Sequence, residues 1–432
     1  MRRHLPLFAV LAAYVALGSL FAVRVPAWQV PDEPGHYNYV ASLAHGVWPV
    51  IEPSDWDPKL VPIGPDAQSV PFERITYQDH QPPLFYVLSM PVFTLSNGSL
   101  TALRLWSLLI GGIGVAACYA TVLTIFPGRA SLAGAAAALY ALLPQHVHIM
   151  AGFNNDSLSE ALLALTVWQS VRLLRPLHDG SLRERLLLGA TVGLALLTKA
   201  QAYLALPIAV LALLGAGWDG RERWTRAFGQ VLRLAGVAVL IGAPLWVRNV
   251  STYGGTDILA LQAHNRAVIG QPTRADLIAK VGVGGYAMKM ARVTFQSFWG
   301  QFGWMTVLPG DRIYQTLLAF TLLTAALFMI WWLHGRVLLD PMQRRRLMLH
   351  ALLALFALLA YFWYNLQFEQ FQGRYLYPAL IAFATAFALG WSWLLRRWPR
   401  IDAALWLIVL LAFSGLDLYM LVRVIAPAMR IA

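Results

Sequence analysis

The chain has few of the residues on which soluble enzymes usually rely. Charged residues make up only 12% of its 432 positions, whereas hydrophobic residues make up 58%. It has a single cysteine, Cys118, which excludes an intrachain disulfide and a metal site built from several cysteines. The shortage of charge excludes an ordinary soluble domain and indicates a polytopic membrane protein.

Hydrophobic runs recur from one end of the chain to the other. A helix needs about 20 apolar residues to cross a hydrocarbon core of about 30 Å, which predicts a single all-α domain over residues 1–432 with about 11 transmembrane helices. The first run is long enough to span, so we expect a retained signal anchor rather than a cleaved signal peptide. The predicted spans are 5–23, 101–126, 131–151, 157–174, 186–198, 200–216, 229–247, 314–334, 347–364, 376–395 and 403–422.

Two long polar segments separate these runs. Residues 24–100 form the first predicted outer loop, which carries an acidic motif, and residues 248–313 form the large fourth outer loop. Within the first loop, the apolar run 82–95 is short and rich in proline. We therefore predict that it forms an interfacial helix and does not cross the membrane.

The basic residues indicate the orientation. Suppose that residues 82–95 do not cross the membrane. The connecting segments on the same side of the membrane as Arg2 and Arg3 then hold far more Lys and Arg than Asp and Glu, as cytoplasmic segments do. The net charge of +12 is then mostly a signal of topology and does not indicate nucleic-acid binding. We expect a multi-pass protein of the inner (plasma) membrane, with its polar loops on the periplasmic or extracellular side.

Two adjacent carboxylates, Asp32 and Glu33, follow the first span, and His36 lies three residues further along. Ionisable groups at a membrane edge are costly, so they indicate function by default. We take Asp32 as the candidate base, with Glu33 orienting it or sharing the role. A helix-capping Asp in an acidic loop is the alternative.

Other candidate residues lie in the later outer loops. Asp156 begins a predicted helix, where a capping role explains it nearly as well as catalysis. Lys199 lies between two apolar runs, where it either contacts a phosphate or extends along the helix surface towards water. Arg374 could grip a phosphate with two hydrogen bonds, and Gln372 and Tyr375 in the same turn are further candidates for substrate binding.

Histidines in the first loop also suggest a ligand. A divalent metal could bind at His80 and Asp79, where its charge would help to neutralise a phosphate. The spacing of His36, His80 and the carboxylates is not diagnostic of a metal, and hydrogen bonding within a structured loop is the alternative. We treat His36, His80 and Arg248 as candidate substrate-binding residues, although an arginine at a helix end is usually interfacial.

The order and common sidedness of these motifs resemble the GT-C superfamily of glycosyltransferases. The nearest members would be bacterial enzymes similar to protein O-mannosyltransferases and to the lipid A aminoarabinose transferase. The motifs are the Asp32-Glu33 pair, the segment from His80 to Tyr86, Arg104, Asp156, Thr198-Lys199 and the segment from Gln372 to Pro378.

The resemblance implies a GT-C-like bundle with noncytoplasmic interfacial helices in the first outer loop. It also implies an enzyme that takes a sugar from a polyprenyl phosphate and passes it to a glycan, lipid or protein acceptor. The site would comprise catalytic Asp32, Glu33 and Asp156. Gly35 occupies a position where the aminoarabinose transferase has an arginine, so the identity of the donor sugar does not follow.

These observations predict an inverting single displacement at the noncytoplasmic face, with Asp32 as the base. A polytopic transporter or lipid flippase is the alternative, and it should show an internal repeat and broken or ionisable helices near the membrane midplane. No clear repeat is present. A noncatalytic scaffold would not need Asp32, Lys199 and Arg374 on one face.

Overall fold

The computed structural model describes residues 4–56, 72–174, 181–216, 221–268 and 270–429. Within these ranges the chain is helical and has no β-strand, only two isolated bridges, Thr273–Phe368 and Phe302–Val307. The α-helices are α1 (Leu5–Arg24), α2 (Glu33–Ala44), α3 (Leu84–Leu95), α4 (Leu100–Ile125), α5 (Ala130–Ala141), α6 (Pro144–Met150), α7 (Asp156–Leu173), α8 (Leu182–Leu196), α9 (Ala205–Ala216), α10 (Arg221–Tyr253), α11 (Leu261–Ala267), α12 (Arg274–Trp299), α13 (Asp311–His334), α14 (Pro341–Asn365), α15 (Leu380–Leu395), α16 (Pro399–Tyr419) and α17 (Ala426–Ala428).

Seven helical segments in the described part are long and apolar enough to cross a membrane. Three further apolar helical segments are shorter: Leu84–Leu95, Ala130–Ala141 and Ala200–Ala216. The prediction of a multi-pass, all-helical membrane protein is confirmed, while the count of about 11 spans stays a prediction that follows from bilayer thickness. The seven segments are Leu5–Arg24, Leu100–Ile125, Trp224–Tyr253, Asp311–His334, Pro341–Asn365, Gly373–Leu395 and Pro399–Ala428.

The described part of the predicted first outer loop contains the α-helices α2 and α3. The helix predicted over 82–95 is present as α3, which begins directly after Pro82 and Pro83. Proline suits the entry to a helix because its fixed φ is already helical and its missing N–H would have no partner there. The position of α2 and α3 at a membrane interface stays a prediction.

Two predicted segments differ from the structure. The span predicted over 131–151 is two helices, α5 and α6, because Pro144 has no N–H to continue a helix and instead occupies the first turn of a new one. The fourth outer loop contains α11 and the long helix α12, which bends at Gly282, where φ is +71°. Charged residues interrupt the apolar pattern of α12, so hydropathy alone does not reveal it.

The centre of the bundle lies around α4 and α5. Helix α4 packs against α1, α5 and α7, and α5 also packs against α15 and α16. Every residue of α5 from Leu132 to Ala141 is buried. This helix is rich in alanine, and small side chains let neighbouring helices approach closely.

The polar candidates lie where helices begin. Asp32 directly precedes α2, and Asp156 is the first residue of α7. Lys199 precedes the 3-10 segment Ala200–Leu204, and Arg374 lies in the 3-10 segment Gly373–Ala379. Packing of these two 3-10 segments against each other and against α7 brings Asp156, Lys199 and Arg374 together.

Candidate active site

A cavity of about 660 Å³ collects most of the residues predicted from the sequence. Its lining includes seven of them: Asp32, His36, His80, Lys199, Gln372, Arg374 and Tyr375. They come from parts of the chain that are more than 300 residues apart, and the fold brings them to one place. A largely preformed pocket with convergent polar groups is the usual form of a ligand site.

Four charged side chains form a continuous chain of ion pairs beside this cavity. Arg374 Nη2 lies 2.6 Å from Asp32 Oδ2, and Arg374 Nη1 lies 3.9 Å from Asp156 Oδ2. The second oxygen of Asp156 pairs with Lys199 Nζ. We call these four residues the ion chain. Its two cations and two carboxylates cancel in charge.

Asp32 has an unusual backbone conformation. Its φ is +68°, in the left-handed region that aspartate tolerates better than most residues, and it lies directly before α2 without capping that helix. The carboxylate instead accepts a hydrogen bond of 2.6 Å from the Tyr77 hydroxyl on Oδ1. Burial raises the pKa of Asp32, but the Arg374 guanidinium and the Tyr77 hydroxyl outweigh burial and hold that pKa well below its ordinary value.

Asp156 is held at the start of α7 by its own loop. Its backbone N–H donates to Asn154 Oδ1 at 2.9 Å, and the helix dipole favours a carboxylate at this position. Its side chain does not cap the helix but faces Lys199. Among the residues that the structure describes, Asp156 Oδ2 is buried without a hydrogen-bond partner, which leaves an acceptor available beside Arg374.

Arg374 is positioned by its neighbours in the Gln372–Tyr375 turn. Its Nε donates to Gln372 Oε1 at 2.7 Å, and its guanidinium carbon lies 5.6 Å from the centre of the Tyr375 ring. Nη1 is buried and has no hydrogen-bond partner among the residues that the structure describes. This N–H group is therefore a donor that a ligand could use.

Glu33 does not line the cavity. It is fully buried and accepts hydrogen bonds from Arg104 Nε and Nη2, at 2.8 and 2.6 Å, and from the backbone N–H groups of Trp28 and Phe153. Arg104 also donates to three carbonyl oxygens at the end of α1 and just beyond it. The ion pair of Glu33 and Arg104 therefore holds the acidic motif against α1 and α4.

Arg248 and Asp79 also lie outside the cavity lining. The Arg248 guanidinium donates to the Pro49 carbonyl oxygen and lies over the rings of Trp48 and Tyr253. It therefore joins α10 to the first outer loop. Asp79 is buried, and its Oδ1 has no partner in the described part of the chain.

His36 and His80 are buried hydrogen-bonding groups of the first loop. Burial lowers the pKa of His36 to about 3, and its Nδ1 lies 2.7 Å from the Tyr86 hydroxyl. Burial also lowers the pKa of His80, whose Nδ1 lies 3.0 Å from the Tyr77 carbonyl oxygen. In the described ranges, no three His, Cys, Asp or Glu side chains are grouped as metal ligands. The possible metal at His80 and Asp79 stays a prediction.

Known proteins share this architecture. A family model for dolichyl-phosphate-mannose-protein mannosyltransferases matches residues 80–247, which include His80, Asp156 and Lys199. Among solved structures, apo ArnT from Cupriavidus metallidurans has a TM-score of 0.54 at 15% identity, covering 98% of this chain and 73% of ArnT. The apo oligosaccharyltransferase from Archaeoglobus fulgidus has a TM-score of 0.54 at 14% identity, covering 98% of this chain and 55% of that protein. The chain therefore has a GT-C-like fold.

The chain spans about half the length of the archaeal oligosaccharyltransferase. At such low identity, the likeness to solved structures concerns the fold. No curated protein sequence matches the chain.

Several residues that line the cavity were not predicted from the sequence. Tyr77, His264, Asn265 and Trp304 all line the cavity. Tyr77 could have been suspected, because it lies close to the Asp79-His80 segment. His264 and Asn265 gave no such signal, because they occupy a short helix inside a segment that reads as a loop.

Proposed function

We propose that this chain is a glycosyltransferase that moves a sugar from a polyprenyl-phosphate donor to an acceptor at the noncytoplasmic face of the inner membrane. The observation that carries the proposal is the ion chain of Asp32, Arg374, Asp156 and Lys199 beside a cavity that adjoins an apolar groove. One structural relative, ArnT from Cupriavidus metallidurans, was solved with undecaprenyl phosphate bound, at a TM-score of 0.52.

The groove suits an isoprenoid tail. It has a volume of about 1330 Å³, and α12, α13, α14 and α15 contribute most of its largely apolar lining. Tyr361 on α14 lines both the groove and the cavity. A lipid tail in the groove would therefore place its phosphate at the cavity, where Arg374 and Lys199 lie.

Arg374 and Lys199 would hold the phosphate that departs in the reaction. A sugar phosphodiester has a good leaving group, so catalysis needs positive charge on the departing phosphate more than it needs a strong general acid. Arg374 Nη1 has no hydrogen-bond partner in the described part of the chain, and a planar guanidinium binds phosphate oxygens in pairs. Lys199 contributes an ammonium group from the opposite end of the ion chain.

Asp32 would act as the base in a single displacement. The acceptor oxygen attacks the anomeric carbon while its proton passes to Asp32, and the bond between that carbon and the phosphate oxygen breaks. One displacement inverts the configuration at the anomeric carbon. When Arg374 turns towards the donor phosphate, Asp32 loses its strongest cationic partner and becomes more basic, so donor binding prepares the base.

Glu33 has no direct part in this step, because its carboxylate is fully engaged with Arg104 and backbone donors. Asp156 keeps Lys199 in place, and the acceptor is a glycan, lipid or protein hydroxyl. The active site would face the periplasm or the cell exterior.

Substitution of Asp32 by Asn tests the proposal. The variant keeps the size of the side chain but cannot take a proton, so release of polyprenyl phosphate from a polyprenyl-phosphate sugar in native membranes should fall by about 10²- to 10⁴-fold. Binding of polyprenyl phosphate to the purified variant should persist. Asp311→Asn, at an exposed position, is the matched control. Near-normal turnover in Asp32→Asn would remove Asp32 as the base, and a wild-type protein that binds no polyprenyl phosphate would overturn the proposed function.

A further inference from the structure

The cavity has a wall that the proposed chemistry does not use. It includes His80, His264, Asn265, Gln271 and Trp304, which we call the uncharged wall. None of these residues belongs to the ion chain. The donor sugar is joined to the phosphate through a single oxygen, so a phosphate held by Arg374 and Lys199 places the sugar in this same cavity. The side chains of the uncharged wall therefore influence which sugar the cavity accepts.

The lining is rich in side chains that suit hydroxyl groups. Eight of the described lining residues are glutamine or asparagine, whereas the only carboxylate among them is Asp32 and the only permanent cations are Lys199 and Arg374. A carboxamide both donates and accepts hydrogen bonds without carrying charge, as the hydroxyl groups of a sugar require. A sugar ammonium or carboxylate would need a counter-ion here, because burying an unpaired charge is costly.

The two histidines of the wall are neutral partners. The rings of His80 and His264 lie 4.2 Å apart between centroids, which disfavours two imidazolium ions side by side. Burial lowers the pKa of both groups. The ring nitrogens of His80 contact the Tyr77 carbonyl oxygen and Gln81 Nε2, and His264 Nδ1 lies 3.2 Å from Asn265 Oδ1. His264 Nε2, which has no hydrogen-bond partner among the described residues, is then the ring nitrogen that a sugar hydroxyl could use.

The wall is also fixed by its backbone. Trp304 and Met305 have φ values of +53° and +64°, and Ala260 directly before α11 has a φ of +56°. Non-glycine residues in this region are strained and persist where the surrounding structure holds them, often at ligand sites. The Trp304 indole is secured by a hydrogen bond of 2.7 Å from its Nε1 to the Trp28 carbonyl oxygen.

A neighbouring indole provides a further donor. Trp56 lines the cavity, and its Nε1 is buried with no partner among the described residues. A buried donor without a partner is rare unless a ligand or water completes it. Aromatic faces such as those of Trp56 and Trp304 also present apolar surface to the C–H groups of a sugar ring.

We infer that the uncharged wall binds the sugar of the donor and selects a neutral sugar, such as a hexose, over an amino sugar or a uronic acid. The inference rests on the proposed function and names the substrate class of that same site. Asn265 and His264 on α11 are its specificity-determining residues. A carboxylate placed at Asn265 should reverse part of the selection by supplying the counter-ion that an amino sugar lacks.

Binding of three lipid donors to the purified protein in nanodiscs tests this. The donors share one polyprenyl phosphate and differ only in the sugar: a neutral hexose, an amino pentose or a hexuronate. The hexose donor should bind at least about 10-fold more tightly than either charged donor, because a site that hydrogen-bonds hydroxyls discriminates strongly. Asn265→Asp should shift the ratio of amino pentose to hexose affinity about 10-fold towards the amino sugar, whereas the exposed control Asn97→Asp should not.

The outcomes separate the two proposals. Equal or tighter binding of a charged donor by the wild-type protein would overturn the selection of a neutral sugar, and this comparison needs no variant. An unchanged ratio in a folded Asn265→Asp protein would remove α11 from the sugar site. Polyprenyl phosphate without a sugar serves as the reference. If the wild-type protein does not bind it, the proposed function fails and the inference fails with it.

Discussion

At the scale of single residues, the adjacent carboxylates Asp32 and Glu33 have different surroundings. A pair of acids at the end of a span is visible in the sequence, but which of them faces a cavity depends on the fold. Glu33 meets Arg104 from α4, 71 positions away, whereas Asp32 meets Arg374 from the far end of the chain. Such long-range partners cannot be inferred from local spacing.

Glu33→Gln should mainly cost stability. Removing one partner of a buried ion pair leaves an uncompensated charge and destabilises a protein by about 3–5 kcal/mol, so the purified variant should unfold at a clearly lower temperature. The half-exposed pair of Arg172 and Glu184 is the control, since Glu184→Gln should cost no more than about 1 kcal/mol. Equal melting temperatures for the two variants would contradict a structural role for Glu33.

Asp79 should make stability depend on pH. Burial and the charge of Asp55 raise its pKa to about 8, above the ordinary value near 4. Between these values the folded chain binds more protons at this group than the unfolded chain, so stability falls as pH rises from about 4 to about 8 and then levels off.

The substitution Asp79→Asn removes this group. At pH 5 the variant should be close to the wild type, and at pH 8 it should be more stable by up to a few kcal/mol, measured by thermal unfolding in detergent. Glu73→Gln, at an exposed position in the same loop, should leave the pH dependence unchanged. A variant that loses stability at pH 8 would contradict the raised pKa.

At the scale of elements, the position of Arg374 depends on how closely two helical segments approach. A Cβ added to Gly373 would lie 2.2 Å from the backbone N of Phe298 and 2.5 Å from the carbonyl O of Thr294, both on α12. Backbone atoms of a helix cannot move aside cheaply, so only glycine permits this contact.

Gly373→Ala should push the segment Gly373–Ala379 away from α12 and move Arg374 with it. Because misplacement of about 1 Å can cost about 10²-fold in rate, turnover should fall by a similar factor even if the protein still folds. Gly236→Ala, at a helical position with open space around it, is the matched control. Normal turnover in a folded Gly373→Ala protein would contradict this dependence on close packing.

The helices also differ in how readily they can be predicted. Long apolar runs such as α4 and α13 are clear in the sequence because lipid demands uninterrupted hydrophobicity. The division between α5 and α6 required attention to Pro144, and α12 was hidden by its charged residues. Elements that face water or line a cavity lack the signal that makes spans easy to recognise.

At the scale of the whole molecule, common sidedness was the strongest clue to the site. Counting basic loops placed Asp32, Asp156, Lys199 and Arg374 on one face, and the structure brings all four together. The count of basic residues could not reveal the uncharged wall, because amides and neutral histidines carry no net charge.

The orientation can be tested with the single cysteine as a starting point. Cys118 is buried, so Cys118→Ala provides a background without reactive thiols. In spheroplasts, a membrane-impermeant maleimide should label His45→Cys, whereas it should label Arg397→Cys only after permeabilisation, because basic loops stay in the cytoplasm. Both positions are exposed, and the reverse pattern would overturn the noncytoplasmic site.

The zero net charge of the ion chain affects how tightly the site holds the polyprenyl-phosphate product. A sugar phosphodiester brings one negative charge to it, but the spent carrier is a phosphate monoester with nearly two at neutral pH. Under the proposed chemistry, Arg374 and Lys199 therefore hold the product more tightly than the substrate. Carrier departure is then a step that can slow turnover after bond cleavage. Product inhibition would make sugar transfer depend on how quickly other membrane enzymes recycle the carrier.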